Sequence, residues 1–224
     1  RMMFGMGTMD ALELVRKAHE IIAAPPPNRF IELLEAGGLP EERLRRLAGE
    51  QYSILRSDRR SFALLAARFP EAPAGEMFLS LANGENRALE LLGRFAAALG
   101  WTEQELRAYE PEPLAQAYPA YLAACAVYGS RSAVALAMLA NLNEWGGYCA
   151  RIAEALRGSY DFPEDAVEFF RFFAAPPPGF SETATAVIQD GLDAGDDPAE
   201  ALRAARLLHG YEQAFWHSVA QGLE

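Results

Sequence analysis

The stretch HGYEQAFWHS near the end of the chain sets one carboxylate, Glu212, among aromatic side chains. A helical period runs the apolar stripe of this segment through Ala205, Leu208, Phe215 and Val219, and Glu212 fills the missing place in that series. An inward carboxylate without a partner loses several kcal/mol of solvation, so its pKa rises unless another group pairs with it. Glu212 is therefore a candidate acid or base inside the protein.

The third predicted helix also carries polar residues on its apolar stripe. That stripe passes through Leu55 and Phe62, and Gln51 and Asp58 stand at the same spacing. The amide and the carboxyl are therefore predicted to face the interior, where either one is a candidate partner for Glu212.

A predicted helix over residues 130–156 is apolar on nearly every side, yet its middle reads ANLNEWGGYCARI. Asn141, Glu144 and Tyr148 share one face of it, and Asn143 lies beside them. Three buried helices would then place polar groups around a shared cavity, as small-molecule pockets are usually built. The same pattern also fits a purely structural polar network, and periodicity does not decide between the two.

The elements that position these groups are all predicted to be helices, separated by proline and glycine. Thr102 to Glu105 reads as a capping box, and Asp197 with Pro198 reads as the start of the last helix. The predicted ranges are 8–24, 29–38, 40–69, 75–99, a short helix from 102, 113–128, 130–156, 163–174, 179–194 and a helix from 197 onward. No strand pair is evident, so the sequence predicts an all-α bundle with an internal ligand cavity.

Length and composition limit the organisation and the partners. With 224 residues, of which 51% are hydrophobic, one domain over residues 1–224 is expected, and residues 1–7 are predicted to be a ragged, disordered start. A net charge of -11 argues against binding to nucleic acid or to an anionic membrane. Cys125 and Cys149 have no disulfide or zinc spacing, which favours a cytoplasmic location.

Three segments, taken in order, resemble the TenA and thiaminase II family. They are NRFIELLEAGGLPEERLRRLAGEQYSILRSDRR, LGWTEQELRAYEPEPLAQAYPAYLAACAVYGS and YEQAFW, and the similarity extends from about residue 28 to residue 216. The last segment resembles the family's C-terminal Tyr-Glu-x-x-Phe-Trp signature. This resemblance implies a haem-oxygenase-like fold.

The resemblance also implies roles for individual residues. Glu212 takes the place of the family's catalytic acid/base, and Tyr211 opens the same signature. Tyr118 takes the place of a pocket tyrosine, and Tyr52 matches the tyrosine that follows an acidic residue in the family. These residues are therefore expected at a ligand site.

Two positions depart from the family pattern. Gln51 stands where the family has an aspartate, although the adjacent Glu50 would match if the alignment moved by one residue. Asn143 stands where the family has its nucleophilic cysteine, shortly before the central Trp145. Hydrolysis that requires a thiolate cannot run from an amide, so the chain resembles a divergent member that lacks the usual cysteine.

Other residues could compensate for the missing cysteine. Some branches of the family carry a glutamate elsewhere, and Glu144 or Glu85 could serve in this way. Cys149 is a conceivable replacement nucleophile, but an isolated cysteine among apolar neighbours is more often a small core residue.

Three functions follow from this comparison. The first is hydrolysis or deformylation of an aminopyrimidine in thiamin salvage, with no cofactor and with Glu212 as acid/base. The second is non-catalytic binding of a small heteroaromatic or amphiphilic ligand. The third is metal-dependent oxidation, which is disfavoured because such a site needs about six ligands and the only histidines are His19, His209 and His217. The resemblance also implies a homodimer or homotetramer.

Overall fold

The structure is a computed structural model that describes residues 9–22 and 24–223, so the predicted disordered start at residues 1–7 lies outside it. Within those ranges it contains ten α-helices and no strand, which confirms the predicted all-α class. The helices are α1 (Ala11–Ile21), α2 (Arg29–Glu35), α3 (Glu41–Arg68), α4 (Ala74–Ala98), α5 (Glu103–Ala108), α6 (Ala117–Tyr128), α7 (Arg131–Ser159), α8 (Glu164–Ala174), α9 (Phe180–Asp193) and α10 (Pro198–Ala220).

The helix ends follow the capping residues of the sequence. Thr102 and Glu105 form the predicted capping box at the start of α5. Asp197 caps α10 by accepting a hydrogen bond from the backbone N–H of Ala199 at 2.8 Å.

Two starts differ by several residues: α1 begins at Ala11 instead of residue 8, and α6 begins at Ala117 instead of residue 113. Asp10 caps α1 by accepting a hydrogen bond from the Glu13 N–H. Pro119 explains the start of α6, because a helix that began earlier would need an N–H at that position.

The long helices α3, α7 and α10 form the centre of the bundle. α3 packs mainly on α4, and α7 packs on α8, α9 and α10. The buried apolar residues form two clusters, one around Phe95, Phe169 and Trp216 and the other around Phe62 and Leu208. The polar interruptions seen in the sequence lie on these central helices, so the helices bring them towards one another.

The segment after α5 packs closely on α3 and holds the buried carboxyl of Glu50 in place. A Cβ at Gly49 would lie 2.3 Å from Cγ of Tyr109, so the ring packs directly on the glycine backbone. The adjacent Glu50 carboxylate is fully buried and accepts hydrogen bonds from the Tyr109 hydroxyl (2.8 Å), the Glu112 backbone N–H (2.8 Å) and Gln116 Nε2 (2.6 Å). Glu50 is therefore a structural residue of this junction.

None of the helices in the described ranges combines the length and the apolar character that crossing a bilayer requires.

Candidate functional site

An internal cavity of about 120 Å³ lies between α3, α4, α6, α7, α8 and α10. Its wall is mostly apolar and aromatic. Apolar and aromatic lining comes from Ile54, Leu55, Phe62, Leu81, Met138, Leu142, Trp145, Phe173 and Phe215. Polar lining comes from Gln51, Asp58, Glu85, Tyr118, Asn141 and Glu212. A hollow with hydrocarbon walls and a few polar groups is the usual form of a site for a small molecule.

Glu212 points into this cavity, as the period of α10 predicts. The residue is 6% exposed, and its Oε1 atom is buried without a hydrogen-bond partner in the protein. Burial raises the pKa of Glu212 well above its ordinary value, the nearby Glu144 carboxyl raises it further, and the Trp216 indole opposes the shift. Burial therefore favours the protonated acid form of Glu212, and its Oε1 atom is free to meet a ligand.

Asp58 and Glu85 place two more carboxyls in the same cavity, one on α3 and one on α4. Asp58 is 5% exposed, and its Oδ1 atom has no hydrogen-bond partner. The Oε2 atom of Glu85 is buried and lacks a partner as well. Burial raises the pKa of both carboxyls well above their ordinary values, and for Glu85 the charge of Asp58 adds to the rise.

The sequence contains only partial signals for this pair. The stripe of α3 predicts that Asp58 faces inward, whereas Glu85 is only a candidate compensating glutamate. The pair itself depends on tertiary packing, because α3 packs on α4 so that both carboxyls line one hollow.

Tyr118 and Gln51 complete the polar part of the wall. Burial raises the pKa of Tyr118 well above its ordinary value, and the carboxyls of Asp58, Glu212 and Glu85 raise it further. The phenol therefore keeps its proton and can donate a hydrogen bond. Gln51 is 4% exposed and offers both a donor and an acceptor to a ligand.

Asn141 lines the cavity but is held by a network behind it. Its Nδ2 donates to the Ala137 carbonyl at 2.8 Å, and its Oδ1 lies 3.1 Å from His209 Nδ1. His209 Nδ1 is also 3.6 Å from Glu144 Oε2, and Gln213 hydrogen-bonds to the other oxygen of Glu144. Asn141 is therefore fixed in place by the protein, and this part of the polar pattern is structural.

Trp145 forms an aromatic wall together with two other residues of the lining. Its ring centroid lies 5.8 Å from that of Phe173 and 6.5 Å from that of Phe215, both in edge-to-face arrangements. A planar heteroaromatic ligand would find aromatic faces and edges on this side of the cavity.

Three residues of α7 predicted at the ligand site do not line the cavity. Asn143, Glu144 and Tyr148 border a shallow groove on the outer surface, and Asn143 is exposed. Successive residues turn by about 100° around a helix, so a residue two places from Asn141 and from Trp145 faces away from both. Asn143, predicted as a ligand-binding residue, therefore lies on the outer side of α7, away from the cavity.

The orientation of α7 also corrects the comparison with the family's cysteine. A nucleophile must face its substrate, and on α7 the cavity face consists of Met138, Asn141, Leu142 and Trp145. An alignment two residues earlier would place Asn141 at the nucleophile position. In either alignment an amide stands there.

Two tyrosines predicted at the site also lie outside the cavity lining. Tyr52 is half-buried beneath Arg56, whose guanidinium carbon is 5.4 Å from the ring centroid. Tyr211 is half-buried with its ring centroid 5.2 Å from that of Tyr121. Each precedes or follows an inward residue by one position, so its side chain points about 100° away from the cavity.

Neither cysteine of the chain lines the cavity. Cys149 is fully buried in the apolar cluster around Trp216, where burial raises the pKa of its thiol well above the ordinary value. Cys125 is half-buried on α6, and burial raises the pKa of its thiol too. A reactive cysteine needs a low pKa and access to its substrate, and neither thiol has a low pKa or lines the cavity.

We therefore expect Cys149→Ala to keep any turnover of the protein within about twofold of wild type, because the thiol is a packing group. The measurement is steady-state kinetics on the substrates named below, with labelling by iodoacetamide of the folded and the urea-unfolded protein. Loss of activity in a folded Cys149→Ala protein would restore a thiol mechanism.

Within residues 9–22 and 24–223, no three His, Cys, Asp or Glu side chains come together in a way that could hold a metal ion.

A family model described as "TENA/THI-4/PQQC family" matches residues 18–173. The chain belongs to this family. The matched stretch ends in α8, so Glu212 lies beyond it, and its placement in the site depends on the fold and on the cavity. No curated protein matches the sequence.

Solved structures with this fold cover almost the whole chain. A TenA homologue from P. horikoshii OT3 is 20% identical, with a TM-score of 0.67 over 96% of this chain and 100% of the other. A domain of unknown function with a haem oxygenase-like fold from Shewanella denitrificans OS217 is 14% identical, with a TM-score of 0.68 over 93% and 89%. A TenA homologue from Pseudomonas syringae pv. tomato DC3000 is 14% identical, with a TM-score of 0.67 over 94% and 91%. At these identities the likeness shows the fold, which is haem-oxygenase-like as predicted.

Proposed function

We propose that the chain binds a small amine-bearing heteroaromatic ring in its cavity and hydrolyses a C–N bond, with Glu212 as the proton donor. The substrate class is an aminopyrimidine or its N-formyl derivative, as in thiamin salvage. Membership of the TenA family supports a role of this kind. The observation that carries the proposal is the buried, unpartnered Glu212 carboxyl directed into a hollow with aromatic walls.

The size of the cavity limits the ligand. Its volume is about 120 Å³, and an apolar cavity of about 150 Å³ in another protein accommodates benzene. One six-membered ring with small substituents therefore matches the space. A second ring would have to extend outside it.

The proposed step uses water as the nucleophile. The water oxygen forms a bond to the carbon that carries the amine, the C–N bond breaks, and the Glu212 proton goes to the leaving nitrogen. The Glu212 carboxylate then takes the proton that the water loses, so the products are an alcohol and ammonia. For an N-formyl substrate the same transfer gives formate and the free amine. Tyr118 and Gln51 would orient the ring by hydrogen bonds.

A second candidate is a binding protein without turnover. The observation that favours it is the absence of a thiol from the cavity lining, because the cysteine-based hydrolysis of the family has no counterpart here. Such a protein would retain the ligand for transport or for delivery to another enzyme.

One incubation separates the two candidates. The protein is mixed with 4-amino-5-aminomethyl-2-methylpyrimidine or with its N-formyl derivative, and the small molecules are analysed by mass spectrometry. Replacement of the amine by a hydroxyl, or loss of the formyl group, supports hydrolysis. Binding without a product supports the binding protein, and failure of both compounds to bind would exclude this substrate class.

We also propose a homodimer or homotetramer in the cytoplasm. Tyr128 is 84% exposed and Val127 48% exposed at the end of α6, and Leu64 is 41% exposed on the adjacent α3. An apolar patch of this kind suits a subunit contact. Elution at the monomer mass in size-exclusion chromatography with light scattering would contradict it.

A further inference from the structure

The proton transfer proposed for Glu212 leaves two buried carboxyls of the cavity without a role. Asp58 on α3 and Glu85 on α4 both line the hollow, and each has one buried oxygen without a hydrogen-bond partner. Asp58 is 5% exposed, so bulk solvent has little access to its carboxyl. A protein gains no stability from such groups, because desolvation of an unpaired carboxyl is unfavourable. Their position therefore calls for a ligand that satisfies them.

No positive charge of the protein is available to these carboxyls inside the cavity. The chain has 20 Lys and Arg residues, but among the described residues that line the cavity none is Lys, Arg or His. The structural carboxyl of Glu50, which is also buried, behaves differently because it accepts three hydrogen bonds from its neighbours. The charge that balances Asp58 and Glu85 must come from protons or from a bound cation.

We infer that Asp58 and Glu85 form a cation-selective pair, which recognises an amidinium, a protonated aminopyrimidine or an ammonium group of the ligand. The inference rests on the proposed use of the cavity as a ligand site and specifies the chemistry of that ligand. A planar amidinium offers parallel N–H donors, and two carboxyls on facing helices can accept them from both sides. Neutral rings of the same shape would leave both carboxyls unsatisfied.

The entrance supports this role for Glu85. A groove of about 620 Å³ on the outside of α4 runs beneath the segment 175–180 and beside Phe172. Leu81, Glu85 and Phe173 belong to the walls of both the groove and the inner cavity. A ligand that enters from the groove therefore meets the Glu85 carboxyl before it reaches Glu212.

Cation binding should displace protons from the pair. Burial raises the pKa of both carboxyls, and the charge of Asp58 raises that of Glu85 further, so the cavity favours their protonated forms. A bound cation reverses this effect, because it favours the charged carboxylates. Uptake of the ligand and release of protons are thus expected to be linked.

Benzamidine and benzamide provide the test, because they share one ring and one planar substituent and differ in charge. We expect the wild-type protein to bind benzamidine at least roughly tenfold more tightly than benzamide in titration calorimetry at pH 7.5. Measurements in two buffers of different ionisation enthalpy should show release of about one proton per benzamidine and none for benzamide.

Asp58→Asn and Glu85→Gln are expected to remove most of the benzamidine preference and to reduce proton release. The matched control is Glu90→Gln, which neutralises an exposed carboxylate of the same helix α4 that pairs with Arg87 on the surface. That variant should bind both compounds as the wild type does. Thermal unfolding verifies that each variant is folded, and either cavity variant alone is sufficient for the comparison.

Equal affinities of the wild type for the two compounds, no binding of benzamidine, or a preference that survives in both cavity variants would each overturn the inference. The outcome is distinguishable from that of the proposed hydrolysis. Turnover of the aminopyrimidine without a preference for benzamidine would leave the hydrolysis standing and reject the pair. A benzamidine preference without turnover would support the carboxyl pair and reject the hydrolysis.

Discussion

Glu212→Gln is expected to lower kcat for 4-amino-5-aminomethyl-2-methylpyrimidine by about 10² to 10⁴-fold, with KM changed only a few-fold. Glutamine keeps the size and the hydrogen-bonding capacity of the side chain but has no proton to transfer. The acid acts on the leaving nitrogen in the transition state, so its loss affects kcat more than binding. Ammonia release, followed by a coupled assay, measures the effect.

Glu200→Gln is the matched control, since it makes the same change three turns earlier on α10, outside the cavity lining. It should retain the wild-type kcat. A folded Glu212→Gln protein with the same kcat as Glu200→Gln would rule out the assigned role of Glu212.

The dependence of kcat on pH is expected to follow the titration of the Glu212 carboxyl. Burial raises the pKa of Glu212 well above 4.5, so the acid form persists to a higher pH than in an exposed glutamate. Activity is therefore expected to fall as the pH rises through this raised pKa, where the carboxyl loses its proton. A rise in activity across the same range would indicate a base in place of an acid.

Asp58→Asn is expected to stabilise the folded protein at pH 8, by on the order of 1–3 kcal/mol, and to have little effect at pH 3.5. The pKa of Asp58 is raised in the folded state above the unfolded value of 3.8. Between those two values the folded protein binds more protons than the unfolded chain, so stability falls as the pH rises through this window. Asparagine does not titrate, so the variant does not lose stability in this way as the pH rises. Below the unfolded-state pKa, Asp58 is protonated in both the folded and the unfolded protein, so the variant is no longer more stable than the wild type.

Urea unfolding of wild type and variant at the two pH values measures the difference. The control is again Glu90→Gln, whose exposed carboxylate should change the free energy of unfolding by no more than about 0.5 kcal/mol at either pH. A destabilising effect of Asp58→Asn that is equal at both pH values would show that the carboxyl makes a structural hydrogen bond in the folded state.

The results expected for Glu212→Gln and Asp58→Asn are those of a ligand site whose buried acids destabilise the folded protein. Asp58 and Glu212 are buried acids with unpartnered oxygens, and neutral isosteres should stabilise the fold while they weaken binding or turnover. A purely structural polar network predicts the opposite, because its members satisfy one another. The network of Asn141, His209 and Glu144 fits that structural description. The unpartnered oxygens of Asp58 and Glu212 favour the ligand-site interpretation for those two residues.

The amino-acid sequence alone predicts the helices and the direction of several side chains within them. Caps such as Thr102 and Asp197 set the helix starts, because they satisfy backbone N–H groups locally. The apolar period placed Gln51, Asp58 and Glu212 on inward faces, and all three line the cavity. These features depend on contacts within a few residues of one chain segment, which a sequence pattern records directly.

Which inward faces meet one another depends on the tertiary packing of the helices. The packing of α3 on α4 brings Glu85 beside Asp58, and the rotation of α7 about its axis turns Asn143 outward and Asn141 inward. α7 is apolar on nearly every side, so its period leaves that rotation undetermined. A step of one residue turns a side chain by about 100°, and the choice between neighbouring positions therefore depends on the helices packed around them.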